Sequence, residues 1–89
     1  MEFARVLTKK TNGGLMIKTY GVSPARGYDQ FARDLAHHLG IKTFEVDSGK
    51  CHTTLIVFAA WIEGEYYEKA YFDVFYDYEE KCFYTLQDL

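Results

Sequence analysis

One segment of this chain, Gly27 to Leu39, has an unambiguous helical period, and alternating segments surround it. Tyr28, Phe31, Ala32, Leu35, Ala36 and Leu39 recur at steps of three and four residues, which places them on one face of a helix. Asp29, Arg33, Asp34 and His37 fall largely on the other faces. Gly40 follows as a C′ stop, with His37 and His38 in the last turn, where positive charge suits the helix dipole. A lone helix among alternating segments predicts an α+β domain in which most of the backbone pairs as sheet.

The alternating segments can be placed by their turns. Glu2–Lys10 and Leu15–Val22 flank Thr11-Asn12-Gly13-Gly14, and Asn-Gly tolerates the positive φ of a type I′ hairpin turn. Phe3, Leu7, Leu15 and Ile17 supply its apolar residues. Gly21 to Gly27 holds the only proline and reads as a loop. Ile41–Val46 alternates again, Asp47-Ser48-Gly49-Lys50 turns, and Cys51–Ile62 ends in the apolar run LIVFAAWI, read as a central strand covered on both faces. After Glu63-Gly64, residues 65–78 fit both a helical stripe and an alternating strand. Their tyrosine, phenylalanine and valine content favours strand. Glu79-Glu80-Lys81 then turns into a last strand, Cys82–Leu86. The predicted order is β-β-α-β-β-β-β, an antiparallel sheet with one helix packed on one face, in a single domain over residues 1–89. One helix of this length leaves part of the second face uncovered unless the sheet curls or meets a partner.

Charge is divided along the chain. Met1–Trp61 carries eight bases against five acids, whereas Ile62–Leu89 carries eight acids against Lys69 and Lys81. Six of the eight tyrosines fall in the acidic part. Interleaved tyrosine and carboxylate make a surface that buries area and still pairs with arginine or lysine on a partner. Tyr66, Tyr67, Tyr71 and Tyr76 are the candidate anchors, with Asp73, Asp77, Glu79 and Glu80 as the pairing acids. Base-stacking tyrosines amid acids would repel phosphate, which disfavours direct nucleic-acid binding by that part. The basic hairpin around Lys9 and Lys10 keeps a nucleic-acid reading open as an alternative.

No catalytic or cofactor motif emerges. Cys51, His52 and Cys82, with His37 or His38, contain zinc-ligand chemistry but no CxxC or HxxxH spacing, and Cys51 and His52 point to opposite faces of a strand. Core or edge thiols are the simpler reading. Asp73 and Asp77 lie roughly 13 Å apart on a strand, beyond the separation of a glycosidase pair. The glycines lack Walker spacing. A non-enzymatic chain without metal or cofactor is the expectation. The start MEFARVLTKK lacks an apolar signal core, no stretch approaches a membrane span, and two cysteines without a secretion signal suit reduced thiols in a cytoplasm.

In size, single-domain economy and its acidic-aromatic residues 62–89, the chain resembles the small inhibitors carried by phages and mobile elements, anti-CRISPR proteins among them. The resemblance implies a mode of action: a folded wedge that occupies a nucleic-acid or partner site on a larger effector in the host-cell cytoplasm. The expected partner is a protein with a basic surface. Self-association through the uncovered sheet face, giving a homodimeric structural or regulatory domain, is the second expectation.

Overall fold

The computed structural model describes residues 5–11, 14–49 and 52–88. The expected Asn12-Gly13 turn, Phe3 and Cys51 lie outside them. The fold is α+β. Strands β1 (Arg5–Thr11) and β2 (Gly14–Tyr20) lead through a 3-10 turn, Pro24–Arg26, into helix α1 (Tyr28–His38). Six strands follow: β3 (Phe44–Ser48), β4 (Thr53–Val57), β5 (Ala60–Ile62), β6 (Glu65–Tyr67), β7 (Ala70–Asp77) and β8 (Cys82–Asp88). Six of the strands form one antiparallel sheet in the order β1-β2-β8-β7-β4-β3, and β5 and β6 pair separately as a small hairpin.

The helix ends as its residues dictate. Gly40 adopts φ 77°, and the Ile41 N–H reaches back to the Ala36 carbonyl at 2.9 Å while the Gly40 N–H reaches that of His37 at 3.1 Å. This is a Schellman closure, which requires a left-handed residue at C′ and an apolar one after it. Ile41 is consumed as that apolar residue and is buried, so β3 begins at Phe44, three residues later than the expected strand. At the other end, the Ser23 hydroxyl accepts from the Ala25 N–H at 3.1 Å and Pro24 opens the 3-10 turn.

Two further differences concern strand number. The run expected to be one strand, Cys51–Ile62, is broken at Ala59, which takes φ 48°. The Phe58 N–H bonds the Thr43 carbonyl at 3.0 Å, and the chain then leaves the sheet to form β5. Residues 65–78 are strand, as their propensities favour, but in two pieces divided near Lys69, which is also left-handed at φ 53°. The excursion between β4 and β7 is therefore a hairpin, and the main sheet closes behind it by pairing β4 directly with β7.

That hairpin and the helix cover the same side of the sheet. Phe31, Ala32, Leu35 and Ala36 of the helix pack over β3, β4 and β7, and the Phe31 ring stacks on Phe83 at 4.2 Å. Tyr28 and Tyr76 meet Phe83 edge-on at 5.3 and 4.8 Å. Phe83 is fully buried at this junction, a position where truncation to alanine costs about 3–5 kcal/mol. Ala60 and Ile62 are buried from the hairpin side, joined by half-buried Tyr67. The buried apolar side chains form one cluster with Leu15, Ile17, Leu55, Val57, Phe72 and Val74. No second layer covers the reverse side among the described residues. Of the hairpin's apolar residues, Leu15 and Ile17 enter this cluster, whereas Leu7 pairs with Lys18 on the reverse side and is half exposed.

Candidate interaction surfaces

The β5–β6 hairpin presents the most exposed aromatic pair of a strand. Its turn residues Glu63 and Gly64 have φ 51° and 81°, the double left-handed conformation of a two-residue type I′ turn. The register sets Ala60 opposite Tyr67, Trp61 opposite Tyr66 and Ile62 opposite Glu65. Because faces alternate along a strand, burying Ala60, Ile62 and Tyr67 forces Trp61 and Tyr66 outward. Trp61 is 70% exposed and Tyr66 50%, with ring centroids 5.3 Å apart. The hairpin is tethered at its inner side, where Lys10 bonds Glu65 at 2.5 Å and the Tyr67 hydroxyl donates to the same carboxylate at 3.3 Å. The Lys10 bond holds the Glu65 carboxyl below its usual range, and Glu65 in turn raises Lys10. Burial, then the Glu65 charge, raises the Tyr67 phenol.

The uncovered side of the main sheet is the second surface. One lateral row crosses all six strands in register: Lys9, Met16, Leu86, Asp73, Thr54 and Asp47. Beside it run Leu7, Lys18, Tyr84 and Phe75, then Arg5, Tyr20, Cys82 and Asp77. The Phe75 and Tyr84 rings stack at 5.2 Å in the middle of this face, and Arg5 lies 4.2 Å over the Tyr20 ring. Leu7, Leu86 and Tyr71 are its exposed large apolar side chains. Bases stand on β1 and β2, and acids on β7 and β3, so the face is charged oppositely at its two ends.

Several acids on or beside this face already have internal partners. Asp73 accepts from the Thr54 hydroxyl at 3.0 Å. Asp77 caps the β7–β8 turn, its Oδ1 accepting from the Glu79 and Glu80 amides at 2.9 and 3.1 Å. Glu80 takes the Lys18 ammonium at 2.9 Å, which raises the lysine, and lies 3.5 Å from the Tyr20 hydroxyl. Of the four candidate pairing acids, Glu79 alone has no side-chain partner among the described residues.

A third feature is a pocket of about 480 Å³ where β4 stops at Thr53 and β7 runs on past it. Tyr28, His52, Thr53, Phe75, Tyr76 and Tyr84 line it. The lining has an imidazole and hydroxyls but no carboxylate among the described residues. The nearby Asp29 carboxylate is engaged by Ser48 and by the Thr53 hydroxyl, the latter at 2.6 Å, and these bonds hold its pKa below the usual range. Burial raises the Tyr28 phenol and also the Cys82 thiol, which is fully enclosed and so is held in its neutral form. No group of three or more His, Cys, Asp or Glu assembles around a metal position among the described residues.

The eight candidate residues are thus distributed rather than gathered. Tyr66 points outward from the hairpin. Tyr67 turns in beside Phe72, at 6.0 Å, and Tyr76 turns toward Phe83 and the pocket. Tyr71, Asp73 and Asp77 share the uncovered sheet face, with Glu79 and Glu80 in the turn at its end. Trp61 was not among the candidates because it sits inside an apolar run. The signal was present in Glu63-Gly64: a two-residue turn there makes Trp61 and Tyr66 cross-strand partners. No helix is long and apolar enough to cross a membrane among the described residues. The chain matches no protein-family model, no curated protein and no solved structure.

Proposed function

We propose that this chain is a non-enzymatic protein-binding module whose β5–β6 hairpin is the docking element. The observation that carries the reading is the outward Trp61–Tyr66 pair, two large rings held rigidly by strand register and left in solvent. Tryptophan and tyrosine in such positions concentrate binding energy, since they bury large areas at small conformational cost. Exposed Glu63 and Glu68 flank the pair in sequence, and Glu65 stands beside it. Rings with carboxylates nearby favour a partner surface that presents arginine, which stacks on the indole and pairs with the acids. Proteins that handle nucleic acid present such surfaces, and the compositional likeness to anti-CRISPR inhibitors extends the proposal to blocking a nucleic-acid-handling effector in the cytoplasm. Tyr78 and Glu79, exposed at the β7–β8 turn, offer the same chemistry at a second point.

The test uses Trp61 itself, the only tryptophan. Wild type and the Trp61→Ala/Tyr66→Ala variant are used to capture partners from nuclease-treated bacterial lysate. The captured protein is then purified and titrated while indole emission is followed. The reading expects a partner that survives nuclease and shifts the emission to the blue. It also expects loss of at least about 2 kcal/mol, some thirty-fold in Kd, in the variant. A partner held equally by the variant, or one that leaves the emission unchanged, overturns it.

A further inference from the structure

We propose that the uncovered sheet face binds a second copy of this chain, face to face, about a two-fold axis that runs parallel to the strands between β8 and β7. The inference concerns a different surface from the Trp61 hairpin and stands or falls independently of it.

The argument begins with the charge order across the sheet. The lateral row Lys9-Met16-Leu86-Asp73-Thr54-Asp47 is cationic at β1, apolar at β2 and β8, and anionic at β7 and β3. Arg5 adds to the cationic end and Glu45 on β3 to the anionic one, whereas Lys18 is already paired with Glu80. Neither Lys9 nor Asp47 has an ion-pair partner among the described residues. The strand order β1-β2-β8-β7-β4-β3 has its midline between β8 and β7, where Phe75 and Tyr84 stack. A two-fold axis along that midline lays β1 over the partner's β3, β2 over its β4, and β8 over its β7. Each Lys9 then faces the second copy's Asp47, and the contact occurs twice because the interface is isologous. The aromatic pair meets its own symmetry mate at the axis, with Leu86 beside it, Met16 one strand further out and Leu7 at the β1 edge.

Charge also excludes the competing arrangement. An axis perpendicular to the strands would set β1 on β1 and β3 on β3, opposing like charges at both ends, so the parallel axis is selected by repulsion as well as attraction. A notch of about 140 Å³ between Leu7, Lys9, Met16 and Lys18 indents the cationic end. Under the parallel axis it lies opposite the second copy's exposed Asp47, whose carboxylate suits a lysine-lined hollow. Sheets that pack in this way cross at roughly 30°. The face spans roughly 24 Å by 20 Å at ordinary strand spacing and rise. That is at the low end of specific interfaces, the size class of weak and reversible associations.

Sedimentation equilibrium between about 1 µM and 1 mM protein tests this, a range suited to weak association. Wild type is expected to pass from monomer to dimer, and added salt is expected to weaken the dimer, as for exposed charge pairs. Lys9→Glu and Asp47→Lys should each raise the dimer Kd about tenfold or more, because each reversal turns two attractions into two repulsions. Mixing the two variants should restore association as a one-to-one heterodimer, since one contact is then charge-swapped and the other is native. Both positions are exposed, and circular dichroism establishes that each variant is folded. A wild type that stays monomeric at 1 mM, a salt-independent dimer, single variants that associate like wild type, or a mixture no tighter than its components would each overturn the proposal.

Discussion

Replacing threonine by valine is expected to change stability in opposite directions at two pairs of positions in this sheet. Thr19 and Thr85 lie in the adjacent strands β2 and β8 on the helix side and are fully buried, and their hydroxyls have no hydrogen-bond partner among the described residues. In the unfolded chain those hydroxyls are hydrated, so burying each one unpaired costs about 1–3 kcal/mol. Valine has nearly the same shape and presents a methyl to the same neighbours, Ile17 and Val74 beside Thr85, and Val6 and Phe83 beside Thr19. Thr19→Val and Thr85→Val should each stabilise the domain by about 1–2 kcal/mol, raising Tm by roughly 5–10 °C in a domain of this size. Thr53 and Thr54 are buried almost as deeply, but they donate to the Asp29 and Asp73 carboxylates at 2.6 and 3.0 Å. There the same exchange removes a charge-assisted bond and should cost about 1–2 kcal/mol. Urea denaturation of the four single variants at neutral pH reads the difference directly. If Thr19→Val and Thr85→Val are neutral or destabilising, both hydroxyls have partners, such as buried water, and the reasoning fails.

Two further outcomes follow from local geometry. Hydrogen bonds from Ser48 and then Thr53 lower the Asp29 pKa on folding, so its contribution to stability is complete above the unfolded value of about 3.9 and is lost as pH falls through the lower folded value. Ser48→Ala should therefore flatten the dependence of stability on pH below about 4, and an unchanged acid limb in denaturant titrations would contradict this. Gly40→Ala should cost about 1–2 kcal/mol from backbone strain alone, because φ is 77° and an added Cβ meets nothing within 4 Å. Unaltered thermal unfolding of that variant would show that the turn relaxes.

The parts of the fold legible in the sequence were those set by local chemistry. The helix was visible because Tyr28 to Leu39 keeps one period and Gly40 supplies the left-handed residue that ends it. Residues 65–78 read as strand because the β preference of tyrosine, phenylalanine and valine outweighs a helical spacing that also fits. The break at Ala59 was hidden, since alanine is not a turn residue and nothing local forces φ 48° there; the chain leaves the sheet because β7 takes the place beside β4. The same break turned Trp61 from an expected core residue into the most exposed ring of the β5–β6 hairpin. The internal engagement of Glu80 was equally out of reach. It depends on β8 lying next to β2, which brings the β7–β8 turn to Lys18 from a distant part of the chain.

The position of β8 also has a consequence for the order of events in synthesis. It lies between β2 and β7 and, among the described residues, is the only strand that joins the β1–β2 hairpin to the rest of the main sheet. Until Cys82–Asp88 has been made, the hairpin and the β7-β4-β3 half have no strand pairing between them. Roughly 60 residues separate the end of β2 from the start of β8, a delay of about 3–12 s at ordinary elongation rates. During that interval the β2 edge stays unpaired, and once Ala70–Asp77 has been made the β7 edge joins it, each a template for another chain. Completion of the last strand therefore acts as a latch. A chain cut short before it keeps the β2 and β7 edges open, whereas the finished strand seals both edges in a single step.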